Sequence, residues 1–153
     1  MVLTVTTPAV PGAFHTDAEL TQMNVLAATT FAAGDVVMVD PADDTAKQAG
    51  AGATLKRWGI AVEASLATAA VKKIRVAIAG HVITRAQGAI APHNRVVVGS
   101  TAGRVAEAAE ASVVANNIVG TYIGKADGNE RDGVAVTAAA DGDPIWVRLG
   151  IGG

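Results

Sequence analysis

From Gly34 onward, short apolar runs rich in Val and Ile alternate with Gly, Pro, Asn and Asp. Residues 36–39, 60–62, 74–78, 81–84, 95–98, 117–123, 133–137 and 145–149 are such runs, and their lengths and bounding turn residues predict eight short strands. Lys72-Lys73-Ile74-Arg75-Val76 alternates charged and apolar side chains, which puts one face of that strand in a core and the other in water. In Ile145-Trp146-Val147-Arg148-Leu149 the three aliphatic residues share one face and leave Trp146 beside Arg148 on the other. Trp146 then either points outward as a contact site or caps the core of an opposite sheet. Residues 105–115 hold no helix breaker, and Glu107 and Glu110 lie three apart, so the stretch reads as one short helix or as a long Ala-rich loop. Short strands separated by turns predict a mainly β fold, a small barrel or sandwich.

The runs also repeat. Gly34-Asp35 precedes the strand at 36–39, followed by Trp58-Gly59-Ile60-Ala61-Val62 and by the run at 74–80. His93-Asn94 precedes 95–98, followed by Val119-Gly120-Thr121-Tyr122-Ile123 and by the run at 145–150. The first two blocks are displaced by nearly the same distance and the third by roughly ten residues more, as an internal duplication with an insertion near 127–140 would give. The reading is a β domain at 31–153 made of two related halves, 31–88 and 89–150. Residues 1–30 precede it. Pro8, Pro11 and Gly12, the β-branched run Thr4-Val5-Thr6-Thr7 and the isolated Phe14 cannot make a core of their own. They read as an extended arm that either adds to a neighbour's sheet through residues such as Leu3 and Val5 or stays a disordered tail. Removing residues 1–22 is then expected to leave a folded body.

Half of the residues are hydrophobic but only 3% are aromatic, so the core must be built from Val, Ile, Leu and Ala. Such side chains bury little area each, at about 25 cal/mol per Å². With 17% charged residues and a mean hydropathy of +0.36, burial in an assembly is the expected supplement. No run reaches the eighteen or so apolar residues of a membrane span, and the start lacks a signal-peptide pattern, so a soluble protein without membrane contact is expected. The net charge of −2 is uneven. The segment before Lys47 has six acidic residues and no Lys or Arg, a charge of −6, whereas the remainder has twelve basic and eight acidic residues, a charge of +4. That asymmetry fits either complementary docking or a solvated acidic loop at 40–44. The scattered cations, with no aromatic platform among them, argue against nucleic acid.

Chemistry is hard to find in this chain. Without cysteine there are no disulfides or thiolates, and His15, His81 and His93 are too far apart in sequence to form a local metal motif. Residues 127–133 look like a calcium loop, but Arg131 stands where an oxygen ligand is needed, so a polar hairpin tip is the better reading. Ser65, Ser100 and Ser112 lack a nucleophile-elbow context, and Asp141 and Asp143 flank a turn, where carboxylates are ordinary. The Gly/Ala run at 49–53 lacks the Gly-Lys-Ser/Thr ending of a phosphate loop. No catalytic, cofactor or metal site is expected, and the chain reads as a non-enzyme.

Taken in order, Ala-Gly-Asp-Val-Val at 33–37, Trp-Gly-Ile-Ala at 58–61, Ile-Arg-Val-Ala-Ile-Ala-Gly at 74–80, Arg-Val-Val-Val-Gly-Ser-Thr-Ala-Gly-Arg-Val at 95–105, Ile-Val-Gly-Thr-Tyr-Ile-Gly at 118–124 and Asp-Gly-Asp-Pro-Ile-Trp-Val-Arg-Leu at 141–149 resemble the capsid cement, or head decoration, proteins of tailed bacteriophages. The resemblance covers residues 31–150. It implies a small β protein that sits as a homotrimer on the outside of the virion, holding the major capsid protein together, with no catalytic residues to carry over. Val2, Leu3, Val5 and Phe14 of the arm and the aromatic residues Trp58, Tyr122 and Trp146 are the expected contacts, because aromatic anchors dominate interface energies. A carbohydrate-binding or adhesive β module, or another non-enzymatic virion component, is the alternative.

Overall fold

A computed structural model of the chain describes residues 10–42, 44–50, 57–66, 72–108, 118–126 and 137–149. Nine strands are present among them: β1 (Glu19–Val25), β2 (Val36–Asp40), β3 (Thr45–Gln48), β4 (Trp58–Ala61), β5 (Lys72–Arg85), β6 (Arg95–Val98), β7 (Val105–Glu107), β8 (Ile118–Lys125) and β9 (Pro144–Leu149). All pairings between strands are antiparallel, and the sheet curls into a half-barrel, so the fold is mainly β as expected. The described residues contain no helix. Of the stretch read as helix or loop, residues 105–107 form β7 and residues 109–115 lie outside the described residues, as do 133–136 of the expected strand at 133–137.

The sheet order β3-β2-β4-β5-β9-β8-β6-β7 reads the same from either end once the halves are matched. Each half places its second strand at the edge, then its first, third and fourth, and the two fourth strands pair at the centre. The hydrogen bonds repeat as well. Ala49 N–H donates to the Val36 carbonyl as Ala108 does to Arg95, and Ala61 to Asp35 as Tyr122 to Asn94, each at 2.9 Å. Phe31 exchanges two bonds with Ser65, and Ile90 does the same with Ala139. The glycines agree too. A Cβ on Gly59 would fall 2.5 Å from the Ala77 carbonyl oxygen, and one on Gly120 would meet the Arg148 carbonyl and Val147 Cγ1, at 2.9 Å from the latter. A side chain fits at neither position, which accounts for the Gly in both copies of the pattern.

The longest strand, β5, holds the halves together. Its first part carries β4 on one edge and β1 on the other, and its second part pairs with β9. Ile74 and Val76 lie in a core with Met23, Val25, Phe31, Val37 and Val39, whereas Val82 lies in the larger core with Val96, Val119, Tyr122, Ile145 and Val147. Gly80, at φ +83°, stands at the change, beside a register shift between Glu19 and Leu20. One extra residue in a strand reverses which face the following side chains take. This bulge separates the runs expected at 74–78 and 81–84, yet the chain remains one strand through it.

Residues 10–25, assigned by composition to the arm, run along β5 of the same chain. Gly12 N–H donates to the Ile83 carbonyl at 2.8 Å, His15 N–H to His81 at 3.0 Å, and β1 continues the pairing to Val25. Met23 and Val25 are buried. Residues 1–9, with Val2, Leu3 and Val5, lie outside the described residues.

Candidate docking face

The side of β5, β9, β8 and β6 turned away from the large core is the candidate site. Val82, Val147 and Tyr122 face inward and are fully buried, so their sequence neighbours His81, Arg148 and Thr121 face outward. Register pairs His81 with Arg148, Arg148 with Thr121 and Thr121 with Arg95, giving one row across four strands. Two residues along β9, Trp146 stands between Ile83 and Gly124.

The segment 12–17 adds to this face from the edge of β5. Phe14 bridges to Val82 and shares its side of the sheet, 41% exposed at the edge, so the next residue, His15, takes the outer side. The His15 ring stands edge-on to Trp146, with centroids 5.6 Å apart, and edge-on to His81 at 6.2 Å. His81 is in turn held by Asp17: its ring Nδ1 bonds the carboxylate, and its backbone N–H donates to Asp17 Oδ1 at 3.2 Å. Partial burial pushes the Asp17 pKa up, but the bonds from His81 outweigh it, and the net shift is downward. His81 is distant in sequence from His15 and Asp17, and only the antiparallel run of residues 12–17 along β5 brings the three together. Sequence spacing therefore could not reveal the cluster. Among the described residues, no group of three or more His, Asp or Glu side chains is arranged to hold a metal ion.

The aromatic residues expected to make contacts divide three ways. Trp146 is half-buried on the outer face, where its ring meets His15. Trp58 is half-buried as well and packs with Met38 on the large core. Tyr122 corrects the expectation of an exposed aromatic. Its ring is fully buried, because the β8 register turns it inward with Val147, and its hydroxyl donates to the Thr137 carbonyl at 2.6 Å.

Other polar residues serve the framework. The Asp35 carboxylate is buried and accepts from Ala32 N–H at 2.9 Å and Gln48 Nε2 at 2.7 Å. Ser65 Oγ donates to the Thr29 carbonyl, and Asp141 and Asp143 accept turn N–H groups from Gly88 and Ala140. Asp40 pairs with Lys47 and Asp44 with Arg57, so much of the acidic front is neutralised within the chain. A polar crevice of about 150 Å³ lies beside that second pair, lined by Gln22, Asn24 and Lys73. The calcium-like stretch at 127–133 is outside the described residues. No described helix is long and apolar enough to cross a membrane.

What the geometry defines is a duplicated β framework with one open, cation-bearing face. No family model matches the chain, and no curated protein does. Among solved structures it is similar to the N base of the head fibre gp8.5 of bacteriophage phi29, with a TM-score of 0.58 and 13% identity over 87% of this chain and 96% of that one. At that identity the likeness establishes a shared fold.

Proposed function

We propose that this chain is a structural virion protein without enzymatic activity, which attaches as a trimer to the outside of a mature phage head and cements the major capsid protein against internal pressure. The observation that carries this reading is the similarity of the fold to the N base of a phage head fibre, which aligns over 87% of this chain and 96% of that one with a TM-score of 0.58. The order of motifs along residues 33–149, which resembles that of head decoration proteins, supports it independently.

The mechanism is linkage. A protein that binds the expanded head and not its precursor stabilises the mature state by its differential affinity. Three joined subunits that reach several shell subunits raise the effective concentration of each contact, so weak contacts suffice. Trp146 on the open face, Phe14 on the segment that edges it, and Val2, Leu3 and Val5 of the N-terminal segment are the proposed anchors, and Trp58 is a secondary one.

Because the solved neighbour is the base of a head fibre, a second reading within the same class has support, in which this chain too forms a base that carries a further part. A carbohydrate-binding role has less support, since Trp146 is half-buried and already engaged with His15. Electron microscopy of particles from cells making this protein with its neighbouring gene products distinguishes these readings. Threefold density over the head exterior is expected. Density confined to the tail, or bare heads beside free protein, contradicts the proposal.

A further inference from the structure

The two halves use the same face of the sheet in opposite ways. In the first half, Val36, Ile60 and Ala77 are register neighbours on one row, and all three are fully buried against the large core. The hydrogen bonds and glycines that match the halves put Arg95, Thr121 and Arg148 at the equivalent positions of the second half, again as register neighbours. There the row is open: Arg95 and Arg148 are exposed, and Thr121 is half-exposed. One copy of the face is covered by the chain itself. The other has exchanged its aliphatic residues for cations.

The cations on this face are unmatched. Arg85, Arg95 and Arg148 make no ion pair with a described residue. The surrounding carboxylates are already engaged: Asp17 with His81, Asp143 with Lys125 at 3.5 Å, Glu107 with Ala91 N–H and Asp141 with Gly88 N–H. Arg95 and Arg148 are two strand spacings apart, about 10 Å, wide enough to meet two separate carboxylates on a facing surface. Trp146 adds an apolar margin.

We propose that this row docks onto a carboxylate-rich protein surface, which, on the function proposed above, is an acidic patch of the capsid shell. The chain's own acidic front fits less well as the occupant, because four of its six carboxylates, Asp17, Asp35, Asp40 and Asp44, are bonded internally. Charge pairs of this exposed kind act mainly through association rate and salt dependence, since screening sets in beyond roughly 8 Å at physiological ionic strength.

The test is a titration of purified mature heads with wild-type protein, Arg95→Glu/Arg148→Glu, Arg148→Gln and the charge-reversed control Lys73→Glu, each at two salt concentrations and with thermal melts to verify folding. The double variant is expected to bind at least tenfold more weakly, Arg148→Gln to fall between, and Lys73→Glu to match wild type. Wild-type binding should weaken with salt, and that of the double variant should change less. Equal head binding by wild type and a folded Arg148→Gln variant overturns this assignment and leaves the head-binding role standing, whereas wild-type protein that never binds heads overturns both. Loss of self-association, of duplex DNA binding or of anionic-vesicle binding in the double variant, with head binding intact, gives the face to a different partner and also overturns the proposal.

Discussion

At the scale of single residues, backbone contact restricts this chain more than side-chain chemistry does. A methyl group at Gly120 would strike the carbonyl of Arg148 and Val147 Cγ1. Gly120→Ala is therefore expected to cost about 2–3 kcal/mol in chemical denaturation, as overpacking does. Gly50→Ala, with open space around it, should stay within about 0.5 kcal/mol. Tyr122→Phe keeps the buried ring but removes the donor to Thr137, so a loss of about 1 kcal/mol is expected by the same measurement. Asp17 has a pKa below its ordinary value near 3.8, so its contribution to stability is present above that value and is lost as pH falls through the lowered one. Asp17→Asn should flatten this acid limb in denaturation curves recorded between neutral and low pH. Because the Asp17 side chain is 46% exposed, screening keeps the effect below about 1 kcal/mol.

At the scale of elements, alternation was legible where a strand has one wet face. Lys73 and Arg75 are exposed between buried Ile74 and Val76, and Ile145, Val147 and Leu149 are buried beside exposed Arg148, as their order in the sequence requires. The two short edge strands were not legible. Thr45-Ala46-Lys47-Gln48 and Val105-Ala106-Glu107 have little β character of their own and become strands because β2 and β6 supply a partner edge. β1 was missed for a similar reason, since Glu-Leu-Thr-Gln-Met-Asn-Val pairs with β5 on the strength of Met23 and Val25 facing a core built from distant residues. This alters the expected result of shortening the chain. Deleting residues 1–22 removes the 12–17 clamp and most of β1. That deletion should lower the melting temperature by about 10 °C or more, as a loss of several kcal/mol does in a domain of this size, and promote association through the bared edge of β5. Calorimetry and sedimentation of the truncated protein check both outcomes.

At the scale of the whole molecule, duplication was legible because it lies in the order of short runs, which survives loss of detailed similarity. The candidate face was only partly so. The pairing of Trp146 with Arg148 is written in one strand, but the row through Thr121 and Arg95, and the approach of His15 to His81, exist only once register is set. Fold and function also rest on different grounds, since one framework can carry many activities. The chain has spent Asp17, Asp35, Asp40 and Asp44 of its acidic front on internal bonds, whereas the cations Arg95 and Arg148 stay open on the outer face of the second half. Attachment of that face to a mature shell is the proposal on which the rest depends. Its sharpest check is sedimentation of the purified protein with DNA-filled heads and with unexpanded precursor heads of the same phage. Saturable binding to the filled heads, with none to the precursor, is the expected result; equal binding to both, or to neither, would contradict it.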